Sequence, residues 1–315
     1  MKPILITGAA GNLGSLTARH LLGRGYPLHL MTHERPLPPD LAGARSRSFV
    51  ADLGRPETIA PACEGVGAVV HYAGVLFKPR PEAFLPVTNF VYFQNLVAVA
   101  LDRGVDRIVL VSFPHVEGES SPEAPARGVL TGRPESVHAR TRLEEERHLI
   151  EATEGTGVTP VVLRAGMVYG RGILMIDAAR WLARRRLLGV WRRPTWIHLI
   201  SIVDFLRAVE AAVVEEGVRG IYHVGDDGRE TLQEFLDAAA RHWGSPKPWR
   251  MPVWLIALAS GLVELYALLF RTRAPLTRDF VRIGMASYYG DTTRMKRDLL
   301  AELRYPTFRE GIELL

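Results

Sequence analysis

Short apolar runs alternate with stretches of helical periodicity from the first residues onward. Ile4–Thr7, Leu28–Thr32, 47–51, Ala68–His71, Arg107–Ser112 and 159–163 read as strands, most of them near-continuous apolar or β-branched runs. Between them, 13–23, 57–63, 83–103 and 133–154 carry apolar residues at helical spacing. Gly23 closes the first of these helices and Gly104 follows the third. Strands without an in–out alternation are buried on both faces. The pattern therefore predicts an α/β fold, a doubly wound parallel sheet with helices on each side. After residue 172 the rhythm weakens. Helices over 174–188, 203–216 and Leu232–His242 dominate, interrupted by a short strand at Gly220–Val224. The chain thus divides into a sheet-bearing part, 1–172, and a smaller, mostly helical part, 173–315, that lends segments to the sheet. The loop over 114–134 is rich in Gly, Pro, Ser and Glu, and a loop of that length in a compact domain usually has a function.

One stretch, Met251 to Phe270, is almost wholly apolar and nearly long enough to span a bilayer. Glu264 lies inside it, Pro252 near its start, and Arg250, Arg271 and Arg273 flank it. A carboxylate at membrane depth costs about 2.5–3.5 kcal/mol, which weighs against a spanning helix. A buried helix pair, a helix lining an apolar pocket and a helix touching a membrane surface all remain open. No targeting segment is read at the N-terminus.

Charge and cysteine content narrow the classes further. The 315 residues carry 39 Lys+Arg against 34 Asp+Glu, a net charge of +5 that is too small to argue for a nucleic-acid surface. The single cysteine, Cys63, excludes an intrachain disulfide framework and fits a reducing, cytoplasmic setting, with membrane association left open. No HExxH or comparable spacing occurs among the ten histidines, so no metal site is expected.

The sharpest motif is Thr7-Gly8-Ala9-Ala10-Gly11-Asn12-Leu13-Gly14, which leaves the first strand and opens the first helix. Gly8 permits the tight turn, Gly11 lets the backbone approach a pyrophosphate, and Gly14 lets helix and strand pack closely. The helix N-terminus presents free N–H groups and a partial positive charge to the phosphates.

On these residues the chain resembles the extended short-chain dehydrogenase/reductase family, and the resemblance runs over nearly its whole length. Asp52-Leu53 matches the acidic site that holds adenine after the third strand. His71-Tyr72-Ala73-Gly74 is similar to the Asn-Ala-Gly turn after the fourth, and Asn89 falls where the family keeps an asparagine. Leu163 to Gly170, LRAGMVYG, resembles the LRPxxVYG segment beside the nicotinamide and brings in Ala165 and Met167; Ile202-Val203-Asp204 resembles the VxD site. The resemblance implies a Rossmann-type sheet and a bound nicotinamide dinucleotide, and dimers through two long helices are common in that family. After the second strand, Thr32-His33-Glu34-Arg35 puts His33 at the coenzyme-discriminating place with Arg35 in loop reach. An arginine there accommodates a 2′-phosphate, so NADP is favoured over NAD, although Glu34 opposes it.

The family's catalytic pattern is broken. In place of YxxxK, the matching helix has His138 at the tyrosine and Arg142 at the lysine, and Phe113 falls at the Ser/Thr place with Ser112 the nearest hydroxyl. Histidine titrates near neutral pH and moves protons, which makes His138 the first acid/base candidate. His115, in the loop after the fifth strand, is the second, near where the family's sugar dehydratases carry a proton-transfer carboxylate. Arg142 is suited to ribose hydroxyls or to a substrate carboxylate or phosphate. Two readings follow: an oxidoreductase or epimerase/dehydratase acting on an alcohol or ketone carbon with histidine replacing tyrosine, or a cofactor-binding sensor or assembly subunit without turnover.

Arginine and tryptophan interleave from Arg180-Trp181 through Arg184-Arg185-Arg186 to Trp191-Arg192-Arg193-Pro194-Thr195-Trp196. A solvated helix face, a pocket for an anionic or bulky substrate and a membrane contact are the readings, with nucleic acid last. With the apolar stretch beside it, the segment favours a large hydrophobic small molecule over a free sugar. The sequence from Pro275-Leu276-Thr277 to Tyr289-Gly290-Asp291-Thr292-Thr293-Arg294 has the texture of members acting on 3β-hydroxysteroids.

Overall fold

Seven parallel strands form the sheet: β1 (Ile4–Thr7), β2 (Leu28–Thr32), β3 (Ser46–Val50), β4 (Ala68–His71), β5 (Arg107–Ser112), β6 (Thr159–Ala165) and β7 (Gly220–Val224). Their spatial order is β3-β2-β1-β4-β5-β6-β7. The order reverses between β1 and β4, which opens a crevice at the carboxyl ends of those two strands. The computed structural model describes residues 1–74, 79–270, 272 and 277–315. Arg271, Arg273, Pro275 and Leu276, singled out in the sequence, lie outside the described residues.

Each central strand sends alternate residues to opposite cores. Ile4, Ile6, Val70, Val109 and Leu163 join one, while Leu5, Val69, Ile108, Leu110 and Val162 join the other. Helices α1 (Asn12–Gly23) and α6 (Ile202–Val214) cover the first face; α2 (Pro56–Cys63), α3 (Tyr92–Asp102) and part of α4 (Val137–Ala152) cover the second. This two-sided burial is why the strands read as continuous apolar runs. Each buried Ile, Leu or Val contributes about 1.5–3 kcal/mol.

The helix expected over 83–103 is not continuous. Residues Pro81–Ala83 form a 3-10 turn and Pro86–Val91 a π-turn, and regular α geometry begins only at Tyr92. The π-turn buries the Asn89 side chain, whose Nδ2 donates to Thr141 Oγ1 at 3.0 Å. Such wide turns are frequent at functional sites.

The C-terminal part is welded to the sheet rather than standing apart. Strand β7 pairs with β6, α6 packs on α1, and one core runs from Ile4 to Leu315. Buried Asp204 accepts from Ser201 Oγ, Arg207 and the amides of Arg304 and Tyr305, which clamps the end of the chain to the start of α6. The remaining elements are α5 (Leu174–Arg184), α7 (Leu232–His242), α8 (Val253–Phe270), α9 (Arg278–Met285) and α10 (Thr293–Asp298), with three small two-stranded ladders. The loop over 114–134 is zipped to 287–291: Ser120 donates to Ser287, Ala126 to Tyr289 and Asp291 to Ala126 through the backbone.

Candidate active site

At its three glycines the turn after β1 has no room for a side chain. Gly8 has a φ of +67°, and a Cβ on it would lie 3.0 Å from the Ala73 amide, so the turns after β1 and β4 touch. A Cβ on Gly14 would lie 2.3 Å from the Gly8 carbonyl oxygen, and one on Gly11 2.9 Å from it. Helix α1 begins with Gly11 as cap, no side-chain acceptor and no acidic residue in its first turn. The amides of Asn12, Leu13 and Gly14 have no protein acceptor among the described residues. A bare helix N-terminus in a cradle that a methyl group would fill fits a dinucleotide pyrophosphate.

Around this cradle the structure sorts the sequence candidates. Asn12 turns its side chain away from the turn: Nδ2 donates to the Gly172 carbonyl at 2.5 Å and Oδ1 accepts the Leu174 amide, which ties α5 to α1. Half-buried Asp52 closes a turn by accepting the Gly54 amide. Leu53 is buried in the second core and its carbonyl accepts from Asn95. His33 and Arg35 are exposed beyond β2, and Arg35 has no partner among the described residues. Ala165 ends β6 and Met167 opens a short strand that pairs with Leu199–Ser201, with the Gly166 amide donating to Val224 O and the Met167 amide to His198 O. Thr7 Oγ1 and His71 Nδ1 share a 2.8 Å hydrogen bond beneath the crevice, and Tyr72 OH meets Thr17 Oγ1 at 2.6 Å.

The turn that holds the altered catalytic positions is α4. Ser136 caps it by accepting the Ala139 amide. One turn apart on the helix, His138 and Arg142 are both buried. Arg142 Nη1 donates to Glu145 at 2.7 Å, and its Nη2 lies where a Cβ on Gly74 would come within 2.6 Å. Arg142 therefore reaches the β4 turn at the switch point. Asn89 Oδ1, also near Gly74, is buried without a partner among the described residues, as is Glu145 Oε1. Burial pushes the Glu145 carboxyl up to about 7 against the pull of Arg142.

His138 stands edge-on to Phe113, their ring centroids 4.8 Å apart, and His115 packs on the same phenyl ring at 5.0 Å. The His115 Nε2–H donates to the Ala286 carbonyl at 3.1 Å, which leaves Nδ1 an acceptor, buried and unpartnered among the described residues. Neither histidine titrates near neutrality as expected. Burial lowers His138 to about 3, with the Arg142 charge adding to it, and burial lowers His115 to about 4. Both enter as neutral imidazoles that do not hold a positive charge cheaply; His115 offers only its Nδ1 lone pair, since its N–H goes to Ala286, whereas His138 can accept a proton or donate an N–H.

The Ser112 hydroxyl, a candidate from the sequence, is already engaged. Its Oγ donates to Glu146, which also takes three hydrogen bonds from fully buried Arg164. Arg164 continues to Glu117, and Glu117 accepts the amides of Gly128 and Val129 and meets His223 Nε2 at 3.1 Å. His223 Nδ1 reaches Tyr288 OH at 2.8 Å. Unlike Arg142, this chain of groups braces α4, β5, β6, β7 and the 114–134 loop from beneath. Sequence reading missed it and Glu145 as well, because adjacent glutamates in a charged helix look solvated. The only advance signal was the Arg142–Glu145 spacing of three residues, which places opposite charges on one helix face.

With this geometry in hand, the relatives are informative. The 2-alkyl-3-oxoalkanoate reductase of Stenotrophomonas maltophilia is 25% identical over 295 residues, 87% of each chain. The mouse decarboxylating sterol-4-alpha-carboxylate 3-dehydrogenase is 22% identical over 313 residues, 94% of this chain and 85% of that one. The UDP-glucose 4-epimerase of Thermus thermophilus, solved with NAD, superposes with a TM-score of 0.75 at 22% identity, covering 99% of this chain and 97% of the other. Residues 4–225 match a single family over the sheet, the glycine turn and α4 alike, and the chain belongs to the NAD dependent epimerase/dehydratase family.

Proposed function

We propose that the protein transfers a hydride between a nicotinamide dinucleotide and an alcohol or ketone carbon of a bulky, apolar small molecule, with His138 in the place of the family's tyrosine. The observation that carries this reading is the placement of His138 and Arg142 one turn apart on α4, with Arg142 against Gly74 at the switch point. Gly8, Gly11 and the first amides of α1 would hold the pyrophosphate, Asp52 the adenosine end, and Arg142 the ribose next to the reacting ring or a substrate anion. The nicotinamide, when bound, supplies or accepts the hydride. A neutral imidazole at His138 is in the protonation state that takes the proton of an alcohol as it is oxidised and becomes imidazolium; in the reverse direction that imidazolium returns the proton to the oxygen of the reduced carbonyl. An epimerase or dehydratase that regenerates its own coenzyme uses the same groups.

Arg35 supports NADP as the coenzyme, since it is exposed, unpaired among the described residues and placed just past β2. The exposed apolar helix and the relatives named for an alkyl-oxoalkanoate and a sterol carboxylate support a substrate with a large apolar body. One observation favours the second reading, a coenzyme-binding subunit without turnover: Phe113 stands at the hydroxyl place, and Ser112 is consumed by Glu146.

Purified protein with NADPH or NADH, offered alkyl-substituted 3-oxo acids and 3-ketosteroids, separates the two. Turnover that falls about a hundredfold or more in His138→Phe, with coenzyme affinity intact, supports the catalytic reading. Coenzyme binding without turnover of any substrate gives the site to the second reading; measurable turnover that is equal in wild type, His138→Phe and His115→Phe removes both histidines from the chemistry.

A further inference from the structure

Only Ile256, Ser260, Glu264 and Ala267 of the eighteen residues of α8 are buried. Their spacing of four, four and three residues makes one stripe, which packs against α9 beside Val281. Of the readings open from the sequence, the buried helix pair is half-realised: among the described residues α8 packs chiefly on α9 and leaves most of its remaining surface exposed. Glu264, the charge that argued against a membrane, belongs to the buried stripe. It accepts the Arg278 amide at 2.7 Å and the Arg278 guanidinium at 2.9 Å. The outward face is uncharged and carries Trp254, Leu258, Leu262, Leu265, Leu269 and Phe270, each more than half exposed. An uncovered apolar face of this extent marks an interaction surface.

The amino end of α8 is rimmed by cations and tryptophans. Residues Trp249–Met251, just before the helix, pair with Gly189–Trp191, and Trp249 Nε1 donates to the Arg186 carbonyl at 3.0 Å. Arg184, Arg185 and Arg186 are exposed there, as are Arg192 and Arg193, and the Arg185 guanidinium sits 4.0 Å above the exposed Trp181 ring. An apolar helix face bordered by exposed Arg and Trp matches the layering of a lipid interface, with acyl chains under the face and anionic headgroups at the rim. Spanning is disfavoured by the inner stripe, because insertion would drag the Arg278, Asp279 and Arg282 side of α9 into hydrocarbon. At 1.5 Å per residue the helix is about 27 Å long and lies flat on a single leaflet.

We propose that α8 docks the protein on the surface of an anionic bilayer, apolar face down and arginine rim on the headgroups. The carboxyl end of α9 supplies the Ala286 carbonyl that holds His115, so the docked helix pair connects directly to the histidine cluster. The proposal stands independently of turnover, and coenzyme binding measured in parallel keeps a failure of one distinct from a failure of the other.

Flotation of the full chain with vesicles tests it. Binding is expected to phosphatidylcholine vesicles containing about a third phosphatidylglycerol, weaker binding to phosphatidylcholine alone, and partial release by salt. Leu262→Asp with Leu265→Asp, both at exposed positions, should abolish flotation while leaving coenzyme binding and the melting temperature unchanged. Arg184→Glu with Arg185→Glu and Arg186→Glu should remove the preference for anionic vesicles, on the order of fivefold or more per arginine. Absence of flotation with either vesicle overturns the proposal. So does a soluble dimer that the Leu→Asp pair splits into monomers while wild type ignores vesicles, since a second copy would then cover the face.

Discussion

The guanidinium of Arg142 occupies the space that a side chain on Gly74 would need: a Cβ there would lie 2.6 Å from Nη2. Gly74 does not adopt a left-handed backbone, so its glycine identity answers to this neighbour rather than to strain. Gly74→Ala should fold normally but push Arg142 off its place against the β4 turn, and coenzyme affinity should fall by roughly tenfold, about 1.4 kcal/mol. Fluorescence titration with NADPH and NADH checks this. Unchanged affinity for both would remove Arg142 from the coenzyme crevice.

The same helix separates two arginine roles. Arg164 and Glu146 are fully buried and bonded to each other, with Ser112 completing the carboxylate. Ser112→Ala should therefore cost about 1–2 kcal/mol in denaturant unfolding and change kcat by less than a factor of two. Arg164→Met would strand Glu146 without its cation and should destabilise by about 3–5 kcal/mol. A large loss of kcat in Ser112→Ala at unchanged stability would return the hydroxyl to the catalytic list.

What the sequence made legible, and what it hid, follows from how far each signal reaches. Strands β1, β2, β4, β5 and β7 are local apolar runs, and the structure has them at the bounds the pattern gives. The glycine turn is equally local, since Gly8, Gly11 and Gly14 act on one another and on the adjoining amides. The π-turn at Pro86–Val91 was invisible because its apolar spacing suits a straight helix, and only the tertiary demand to bury Asn89 against Thr141 distinguishes it. The state of His138 and His115 was misjudged for a similar reason. Residue type gives an ordinary titration, while burial sets the actual one, with Phe113 packed on His138 and Tyr288 on His115 from far along the chain and the nearby Arg142 charge adding to the effect on His138. The same holds for α8, whose composition suits a core and whose exposure depends on which elements pack on it, chiefly α9 among the described residues.

The proposed preference for NADP rests on a single exposed side chain, Arg35. A charge-assisted hydrogen bond from Arg35 to a 2′-phosphate is worth about 1.5–3 kcal/mol, and NADH lacks that group. Arg35→Ala should weaken NADPH binding by roughly ten- to a hundredfold and leave NADH binding within twofold, with the NADPH effect shrinking at high salt. Parallel titrations decide it. Equal losses for both coenzymes would mean that Arg35 shapes the loop rather than reading the phosphate.

Acid should unfold this protein early. His71 and His138 are lowered to about 3, and His115 and His198 to about 4, in each case chiefly by burial. In the unfolded chain the four take up protons near pH 6.5, whereas in the folded one they do not until pH 3–4. Their stabilisation is present above pH 6.5 and is lost as pH falls. Glu145, raised to about 7, and Asp226, raised to about 8, act in the opposite sense: their folded forms keep protons that the unfolded chain releases above about pH 4–4.5. Between pH 4.5 and 6.5 four histidines oppose two carboxyls, a net uptake of about two protons on unfolding. Stability should thus rise with pH by about 3 kcal/mol per unit across that window. Below it the carboxyl opposition fades, but the folded histidines begin to take up protons over the same range, so the slope should hold and then flatten toward pH 3. His71→Asn, which keeps a hydrogen-bonding group for Thr7, should lower the slope by about one proton, 1.4 kcal/mol per unit. Urea unfolding at a series of pH values measures both. A flat profile from pH 4.5 to 6.5 would mean that these histidines are hydrated and protonated in the folded protein, and the neutral imidazole assigned to His138 would go with them.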